Sequence, residues 1–210
     1  MDRPSFQTAH QHPVCGRTPP ERLDGGGAWL SLKRISRFLF PGVSMKADMA
    51  EHHIIHYRPE FREQVLDLAI RAWEPVFAKT RNDVPRFVYD NFWPHGWKTR
   101  QEAEVSALLD SRPEGVWLTF QNNQLAGFVG LAFHPEDRMG EISIVAVSPE
   151  YQRQGIGKKL MAFAERKIRE AGMRMVMVET VGDSGHEPAR CTYEALGYQQ
   201  WPVARYFKEL

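Results

Sequence analysis

The chain of 210 residues has few cysteines, no long apolar run and almost no net charge, and each shortage argues against a class of protein. Cys15 and Cys191 lack metal-ligand spacing and are too few for a disulfide framework, so no metal is expected and a reducing, cytoplasmic compartment is the default. Because no run of about 18 apolar residues occurs, neither a transmembrane helix nor stable membrane association is expected. The net charge of +1 argues against nucleic acid as a partner.

Residues 1–50 differ in composition from the rest of the chain. The stretch RTPPERLDGGGAW contains Pro-Pro and a triple glycine, which favour a poorly packed chain. The stretch WLSLKRISRFLF is compatible with an amphipathic helix on the domain, a partner or a membrane surface, or with a transit peptide. An over-long start of the chain is the alternative. We expect a flexible extension over 1–50 and one folded domain over 51–210.

Apolar periodicity divides the remainder into strands and helices. Short apolar runs between turn residues predict strands at 54–57, 115–120, 125–133, 141–147, 174–180 and 204–210. Helical spacing predicts helices over about 60–75, 100–109, 157–171 and 188–196, with a loop over 76–100. The middle strands form an antiparallel meander with a turn at QNNQ. The strand–helix–strand order over 141–180 predicts a parallel βαβ unit.

The loop in VSPEYQRQGIGKKL lies between a predicted strand and a predicted helix. Gly155 and Gly157 let the backbone approach an anion closely, and Arg153, Lys158 and Lys159 add positive charge. The N-terminus of a helix presents unpaired N–H groups and a partial positive charge, and phosphate binds there readily. The loop therefore suits a diphosphate.

Two common diphosphate-binding patterns do not fit this loop. The Walker pattern requires Gly-Lys-Ser/Thr, whereas Gly157 is followed by Lys158 and Lys159. The Rossmann pattern requires a third glycine, which is missing, and the unit comes late in the chain, after an antiparallel meander. A nucleotide triphosphatase and a dinucleotide-binding fold are therefore disfavoured.

The loop and its surroundings resemble the GNAT superfamily of N-acetyltransferases. Residues 152–157, QRQGIG, match that family's Q/R-x-x-G-x-G/A motif. GEISIVAVSPEYQRQGIGKKLM looks like its fourth strand, pyrophosphate loop and third helix, and ARCTYEALGY is similar to its late tyrosine segment. The resemblance covers 53–210. It implies an α/β fold of the α+β type, with a mixed, mainly antiparallel sheet of about six or seven strands, about four helices and a central βαβ acetyl-CoA-binding unit.

The resemblance implies acetyl-CoA as donor and a primary amine, foremost of a small molecule, as acceptor in a direct attack on the thioester. It assigns contacts with acetyl-CoA to Val145, Ala146, Val147, Gln152, Arg153, Gln154, Gly155, Ile156, Gly157, Lys158 and His186. The backbone of Val145–Val147 would pair with the pantetheine arm as an added strand pairs with a sheet edge. His186 stands where many members carry an asparagine, and a solvated loop histidine is the alternative.

Proton transfer in such a reaction needs a base and an acid. A free amine has a pKa of about 10.4 and must lose a proton before it attacks, while the leaving thiolate benefits from gaining one. By resemblance, Glu141 is the base candidate and Tyr193 the acid candidate. A backbone N–H within Val145–Val147 could polarise the thioester carbonyl. The alternatives are a solvated glutamate at a strand entry and a tyrosine that only packs the short helix on the sheet.

The acceptor is the part that the sequence does not name. Aromatic residues are concentrated between 73 and 97, where they are expected to form core or an acceptor pocket. They are Trp73, Phe77, Phe87, Tyr89, Phe92, Trp93 and Trp97, and the nearby acids Asp83, Asp90, Glu102 and Glu104 could attract a cationic amine. A protein lysine or N-terminal acetyltransferase and a non-catalytic CoA-binding sensor stay open as alternatives, as does a homodimer.

Overall fold

The structure, a computed structural model, describes residues 54–210, and the extension expected over 1–50 lies outside the described residues. The described strands form one sheet in the order β1-β2-β3-β4-β5. They are β1 (Ile54–His56), β2 (Val116–Gln121), β3 (Gln124–His134), β4 (Met139–Val147) and β5 (Met175–Val178). The described α-helices are α1 (Arg62–Asp83), α2 (Arg86–Phe92), α3 (Trp97–Ser111), α4 (Ile156–Glu170) and α5 (Glu187–Ala195).

Neighbouring strands pair antiparallel except β4 and β5, which pair in parallel. Since α4 lies between these two strands in the chain, the predicted βαβ unit is confirmed. The mixed, mainly antiparallel sheet confirms the fold class that the resemblance implied. Within residues 54–210 the sheet has five strands instead of six or seven, and it is accompanied by five α-helices instead of about four.

The turn between β2 and β3 forms where the sequence QNNQ predicts it. Gln121 pairs with Gln124, so the loop has only two residues. Asn122 and Asn123 both have positive φ, 51° and 62°, as a two-residue hairpin of type I′ requires. Asparagine tolerates this conformation better than other non-glycine residues, which explains why the meander turns here.

The sheet buries apolar side chains on both faces. On one face, Leu118 and Phe128 pack with Leu68 of α1 and Val105 of α3. On the other face, a second cluster is formed with α4, and its members include Trp117, Val129, Leu131, Ile142, Leu160 and Ile168. Phe128 and Val129 are adjacent in β3 but point to opposite faces, as strand geometry demands. Burying each such side chain stabilises the fold by about 1.5–3 kcal/mol.

The first helix differs from its prediction. Pro75 was expected to end it, but α1 continues to Asp83 with Pro75 inside. A proline removes one backbone donor and disfavours an interior position. Beyond it, however, Phe77 is buried and stacks on Trp97 with ring centroids 4.5 Å apart. Tertiary packing thus outweighs the local preference, and the predicted loop over 76–100 contains the end of α1, all of α2 and the start of α3.

The strand predicted at 204–210 does not form, and residues 199–210 have no regular secondary structure. The side chains of Trp201 and Tyr206 are 84% and 90% exposed. The contacts of this segment are made by side chains: Phe207 meets the Phe92 ring at 5.7 Å, and Arg205 lies 3.8 Å from Glu179. The prediction failed because a β-like residue pattern makes a strand only where a neighbouring strand pairs with it.

No helix among residues 54–210 combines the length and the apolar character that crossing a membrane would require.

A glycine of β4 determines how closely α4 packs on the sheet. A methyl group at Gly140 would lie 2.4 Å from both Cγ atoms of Ile168. We therefore expect Gly140→Ala to lower the free energy of unfolding by about 1–3 kcal/mol through overpacking. Urea unfolding of the purified variant measures this loss.

Gly182→Ala is the matched control, because a methyl group there meets nothing within 4 Å. The double variant Gly140→Ala/Ile168→Ala should lose less stability than the sum of its two single variants, since the second change removes the clash. Strictly additive losses would show that Ile168 does not set the constraint at Gly140.

Candidate active site

The parallel strands β4 and β5 have unequal lengths. Their pairing runs from Met139 opposite Met175 to Ile142 opposite Val178, where β5 ends. β4 continues to Val147 and stays paired with β3 on its other side. Over Ser143–Val147, β4 therefore lacks a partner strand on the β5 side within the described residues. We call this gap the notch.

Strand alternation decides which backbone groups face the notch. The Ser148 N–H donates to the Ala126 carbonyl at 2.9 Å, which makes the neighbouring pair Val147 and Gly127 a non-hydrogen-bonded one. The N–H and C=O of Val147 and, two residues earlier, of Val145 therefore point into the notch. Those of Ala146 point to β3. Of the three residues predicted to contact pantetheine, two thus present backbone hydrogen-bonding groups to the notch.

The loop from β4 to α4 leads directly into the N-terminus of that helix. Arg153 and Gly155 both have positive φ, 63° and 83°, so the chain turns sharply before α4 begins at Ile156. No side chain caps this helix end. The first N–H groups of a helix have no partner inside the helix, and residues 152–155 are exposed. The loop and the first turn of α4 therefore offer backbone donors to an anion.

Two glutamines of the motif shape the loop through their side chains. Gln152 donates its Nε2–H to the Val147 carbonyl at 3.1 Å, and Gln154 donates to the Glu150 carbonyl at 3.0 Å. Gln121, at the end of β2, donates to Gln154 Oε1 at 3.2 Å. Both motif glutamines, predicted as cofactor contacts, thus use a side-chain N–H to hold the loop in place.

An arginine of α1 attaches this loop to the rest of the domain. Arg71 donates to Asp67 Oδ2 at 2.8 Å in its own helix, and to Glu150 at 2.8 Å and Ser148 Oγ at 3.2 Å in the loop. Ser148 also donates to Glu150. Hydrogen bonds from Ser148 and Arg71 hold the pKa of Glu150 at about 2. The sequence did not reveal Arg71, because nothing local links α1 to a loop 77 residues later.

The two predicted proton-transfer residues lie on opposite faces of the sheet. Gly140 faces α4, since a methyl group there would meet Ile168. Glu141, the next residue of β4, therefore faces the side of α1 and α3. Tyr193 packs against the apolar cluster on the α4 side, the same cluster that Val145 touches. Burial raises the pKa of the Tyr193 phenol, so it stays protonated at neutral pH.

Glu141 has a partner that the local sequence pattern does not predict. His134, the last residue of β3, places Nε2 2.8 Å from Glu141 Oε2. The two side chains are 34% and 27% exposed, so both remain accessible from one side. His134 precedes Glu141 by seven residues, and a turn lies between them. Nothing in the local sequence predicts that the two side chains meet.

His186 is held by a buried carboxylate. Asp183 Oδ1 accepts the His186 backbone N–H at 3.0 Å and lies 2.8 Å from His186 Nδ1. The Thr80 hydroxyl of α1 donates to the other Asp183 oxygen at 3.0 Å. Burial alone would raise the pKa of Asp183. The hydrogen bonds and charge of His186, together with the hydrogen bond from Thr80, outweigh this effect and lower the pKa of Asp183. Only Nε2 of His186 is left to meet a cofactor.

The aromatic segment forms a partly buried cluster around α2. Phe77 contacts Trp97 face to face and Trp93 edge to face, and Tyr89 lies 4.7 Å from Trp93 between ring centroids. Trp73 belongs to the core on the α1 side instead. A cleft of about 250 Å³ opens at the end of α2. It is lined by Phe92, Trp93, Pro94, His95, Gly96, Thr99, Arg100 and Ala103.

Three of the four acids proposed to attract an amine already have partners. Asp83 accepts the Ser184 N–H at 2.7 Å. Asp90 pairs with Arg86 at 3.3 Å, and Glu104 pairs with Arg100 at 2.7 Å. Glu102 is exposed on α3. The candidate acceptor region therefore offers an amine more aromatic surface than unpaired carboxylates.

The mixed sheet has a notch beside β4, and an uncapped helix end follows directly after that strand. This arrangement is suited to an extended ligand that carries an anionic group. Residues 77–198 match the Acetyltransferase (GNAT) family. Since this match covers more than half of the chain, the protein belongs to the GNAT family.

Individual relatives agree with this assignment. The mycothiol acetyltransferase of Rhodococcus jostii is 30% identical over 112 residues, which are 50% of this chain and 36% of that protein. The chain thus spans about a third of that relative's length. The PaiA N-acetyltransferase of Thermoplasma acidophilum, solved in complex with coenzyme A, is 17% identical with a TM-score of 0.54, over 72% of this chain and 92% of that one.

A third likeness is to an aminoglycoside N-acetyltransferase solved in complex with CoA. It is 13% identical with a TM-score of 0.51, over 75% of this chain and 93% of that one. At such identities, the two solved structures support the fold.

The Asp183 hydrogen bonds should make stability depend on pH. Asp183→Asn removes the charge that His186 and Thr80 stabilise, and we expect it to lower the free energy of unfolding at pH 7 by about 1–3 kcal/mol. The folded-state pKa of Asp183 is depressed. Its contribution is therefore present above the unfolded-state pKa of about 4 and is lost as the pH falls through the folded-state pKa.

Urea unfolding of both proteins between about pH 7 and pH 3 tests this, and the difference between them should shrink toward the acid end. Asp90→Asn is the control, because its partner Arg86 is 94% exposed and a surface pair contributes little. Equal stability of Asp183→Asn and the natural protein at pH 7 would show that the buried hydrogen bonds add nothing.

Proposed function

We propose that the protein is an acetyl-CoA-dependent N-acetyltransferase that acetylates a primary amine of a small molecule by direct attack on the thioester. The observation that carries the proposal is the continuity of the notch with the uncapped N-terminus of α4. An unpaired strand edge and an anion-binding helix end, in immediate succession, match a ligand that joins an amide-containing arm to a diphosphate. Membership of the GNAT family supports the same conclusion.

The residues of the notch and loop fit this ligand. Backbone N–H groups from Arg153 to Lys158 would hold the pyrophosphate at the positive end of the α4 dipole. One of the outward N–H groups of Val145 and Val147, together with the Val145 carbonyl, would pair with the pantetheine amides, while the Val147 carbonyl keeps its hydrogen bond from Gln152. His186 Nε2 would take the place of the asparagine that many family members carry. Bound acetyl-CoA supplies an activated acyl carbonyl and a thiol as leaving group.

Glu141 and Tyr193 divide the proton transfers between the two faces of the sheet. Glu141 accepts a proton from the arriving ammonium group on the side of α1 and α3, which frees the nitrogen lone pair. An N–H of Val145 or Val147 stabilises the negative charge that develops on the carbonyl oxygen. Tyr193 donates its proton to the departing sulfur on the α4 side. The raised pKa of Tyr193 keeps that proton available at neutral pH. The acylated nitrogen then releases its surplus proton to solvent, and the Tyr193 phenolate regains a proton from solvent, so the protons balance.

The acceptor should approach from the face that bears Glu141. The aromatic cluster near α2 and the cleft at its end suit an amine attached to a partly apolar molecule. The R. jostii relative is named for mycothiol, which is a small molecule. Since Asp83, Asp90 and Glu104 already have partners, we expect one amine rather than a strongly polycationic acceptor.

An amine panel tests the proposal. Purified full-length protein with acetyl-CoA should release free thiol in the presence of some small primary amines, and the product should carry the acetyl group on nitrogen. Aromatic and apolar amines should outperform polyamines. Lysine-containing and N-terminal peptides belong in the same panel, because turnover of peptides alone would redirect the assignment to a protein acetyltransferase. Tight CoA binding without turnover of any amine would indicate a sensor.

Replacing the acid tests the assignment of Tyr193. Tyr193→Phe keeps the ring in the apolar cluster and removes only the phenolic proton, so we expect kcat to fall about 10²–10⁴-fold while CoA affinity is retained. Single-turnover mixing should show direct transfer in the natural protein and a slower transfer in the variant.

Tyr198→Phe is the matched control. Tyr198 lies 6.0 Å from Tyr193 between ring centroids, but its hydroxyl donates to Glu165 at 3.0 Å. We expect a loss of stability of about 1 kcal/mol and an unchanged kcat. An unchanged rate in Tyr193→Phe would exclude it as the acid.

A further inference from the structure

The contact between His134 and Glu141 has an arrangement suited to orienting a base. In the antiparallel pair of β3 and β4, Ala132 stands directly opposite Glu141, and His134 stands opposite Met139. His134 is therefore the diagonal neighbour of Glu141 on the same face of the sheet. The small side chain of Ala132 leaves room for the carboxylate to lean toward the imidazole, and Nε2 and Oε2 meet at 2.8 Å.

The chemistry of the two groups determines which one donates. An ionised carboxylate can only accept hydrogen bonds, so the Nε2 of His134 carries the hydrogen and Nδ1 carries the lone pair. The hydrogen bond engages Oε2 and leaves Oε1 of Glu141 to accept a proton. Without it, the carboxylate could rotate about its side-chain bonds, and a displacement of about 1 Å can cost a reaction two orders of magnitude.

No hydrogen bond or ion pair joins His134 or Glu141 to another charged side chain among the described residues. On the same face, β5 contributes Met175 and Met177, which stand opposite Met139 and Glu141. The turn between β3 and β4 carries Glu136, Asp137 and Arg138, which are exposed and form no ion pair with either member of the pair. His134 is therefore the side chain placed to hold the Glu141 carboxylate.

We propose that His134 is a positioning residue that orients Glu141 for proton abstraction. This inference rests on the proposed function. The hydrogen bond at 2.8 Å holds one carboxylate oxygen of Glu141 in place, so the other oxygen is presented to the substrate in a fixed direction.

Two substitutions separate the hydrogen bond of His134 from the mere presence of a side chain. Glutamine can donate an N–H to Glu141 from nearly the same place as histidine, so His134→Gln should keep kcat within about threefold of the natural protein. Leucine cannot donate, so His134→Leu should lower kcat about 10–100-fold with KM for acetyl-CoA nearly unchanged.

His56→Gln is the control, because His56 lies exposed on β1 and is stacked near Trp117, with ring centroids 4.8 Å apart. It should leave kcat unchanged. A rate for His134→Leu equal to that of the natural protein would overturn the orienting role. An equal loss of rate in His134→Gln and His134→Leu would overturn it as well, because glutamine keeps the donor.

A second measurement does not depend on turnover. At about pH 8, the nitrogen NMR shifts of the His134 ring should show the Nε2–H tautomer in the natural protein, because the ionised Glu141 carboxylate can only accept a hydrogen bond. An Nδ1–H tautomer would overturn the proposal even if the enzyme is active. If the natural protein acetylates no amine, the proposed function fails and the catalytic role of His134 fails with it. That outcome is recognised from the natural protein itself and not from a variant.

Discussion

The candidate site depends on the end of pairing between β4 and β5. Ile142 and Val178 form the last pair, and β4 continues alone on that side to Val147. The N–H and C=O groups of a strand edge without a neighbouring strand can pair with an extended ligand that carries amide groups. Each other feature of the site is arranged around this edge. The loop with Gly155 follows it, Tyr193 packs on one face beside it, and Glu141 lies on the other face just before it.

Helix α1 forms side-chain hydrogen bonds with the loop after β4 and with the loop after β5. Arg71, in its first half, binds Ser148 and Glu150 in the loop after β4. Thr80, in its second half, binds Asp183 in the loop after β5. Continuation of the helix through Pro75 is what allows one rigid element to hold both loops. Helix propensity alone would have ended it there, so the loops supply part of the interactions that keep the second half helical.

Placing Glu141 and Tyr193 on opposite faces has a chemical consequence. A thioester between the strands would be reached by the amine from one face and by the acid from the other, so the attacking and leaving groups do not compete for space. His134 and Glu141 meet because the β3–β4 register sets them diagonally, and Tyr193 reaches its position because α5 packs on the α4 side. In the proposed mechanism, the two proton transfers would thus depend on different hydrogen-bonding and packing environments.

Local pattern by itself determined the βαβ unit, the hairpin at Asn122 and Asn123, and the bounds of α4 to within one residue at each end, and it predicted an anion-binding loop before that helix. These follow from periodicity, turn chemistry and helix-end donors, which act over a few residues. Only the tertiary structure decided that Pro75 lies inside a helix, that residues 204–210 form no strand, and that Arg71, Asp183 and His134 support the site. The physical reason is that each of these depends on partners distant in the chain: a stacked ring, a neighbouring strand or a charged side chain that folding alone brings within hydrogen-bonding distance.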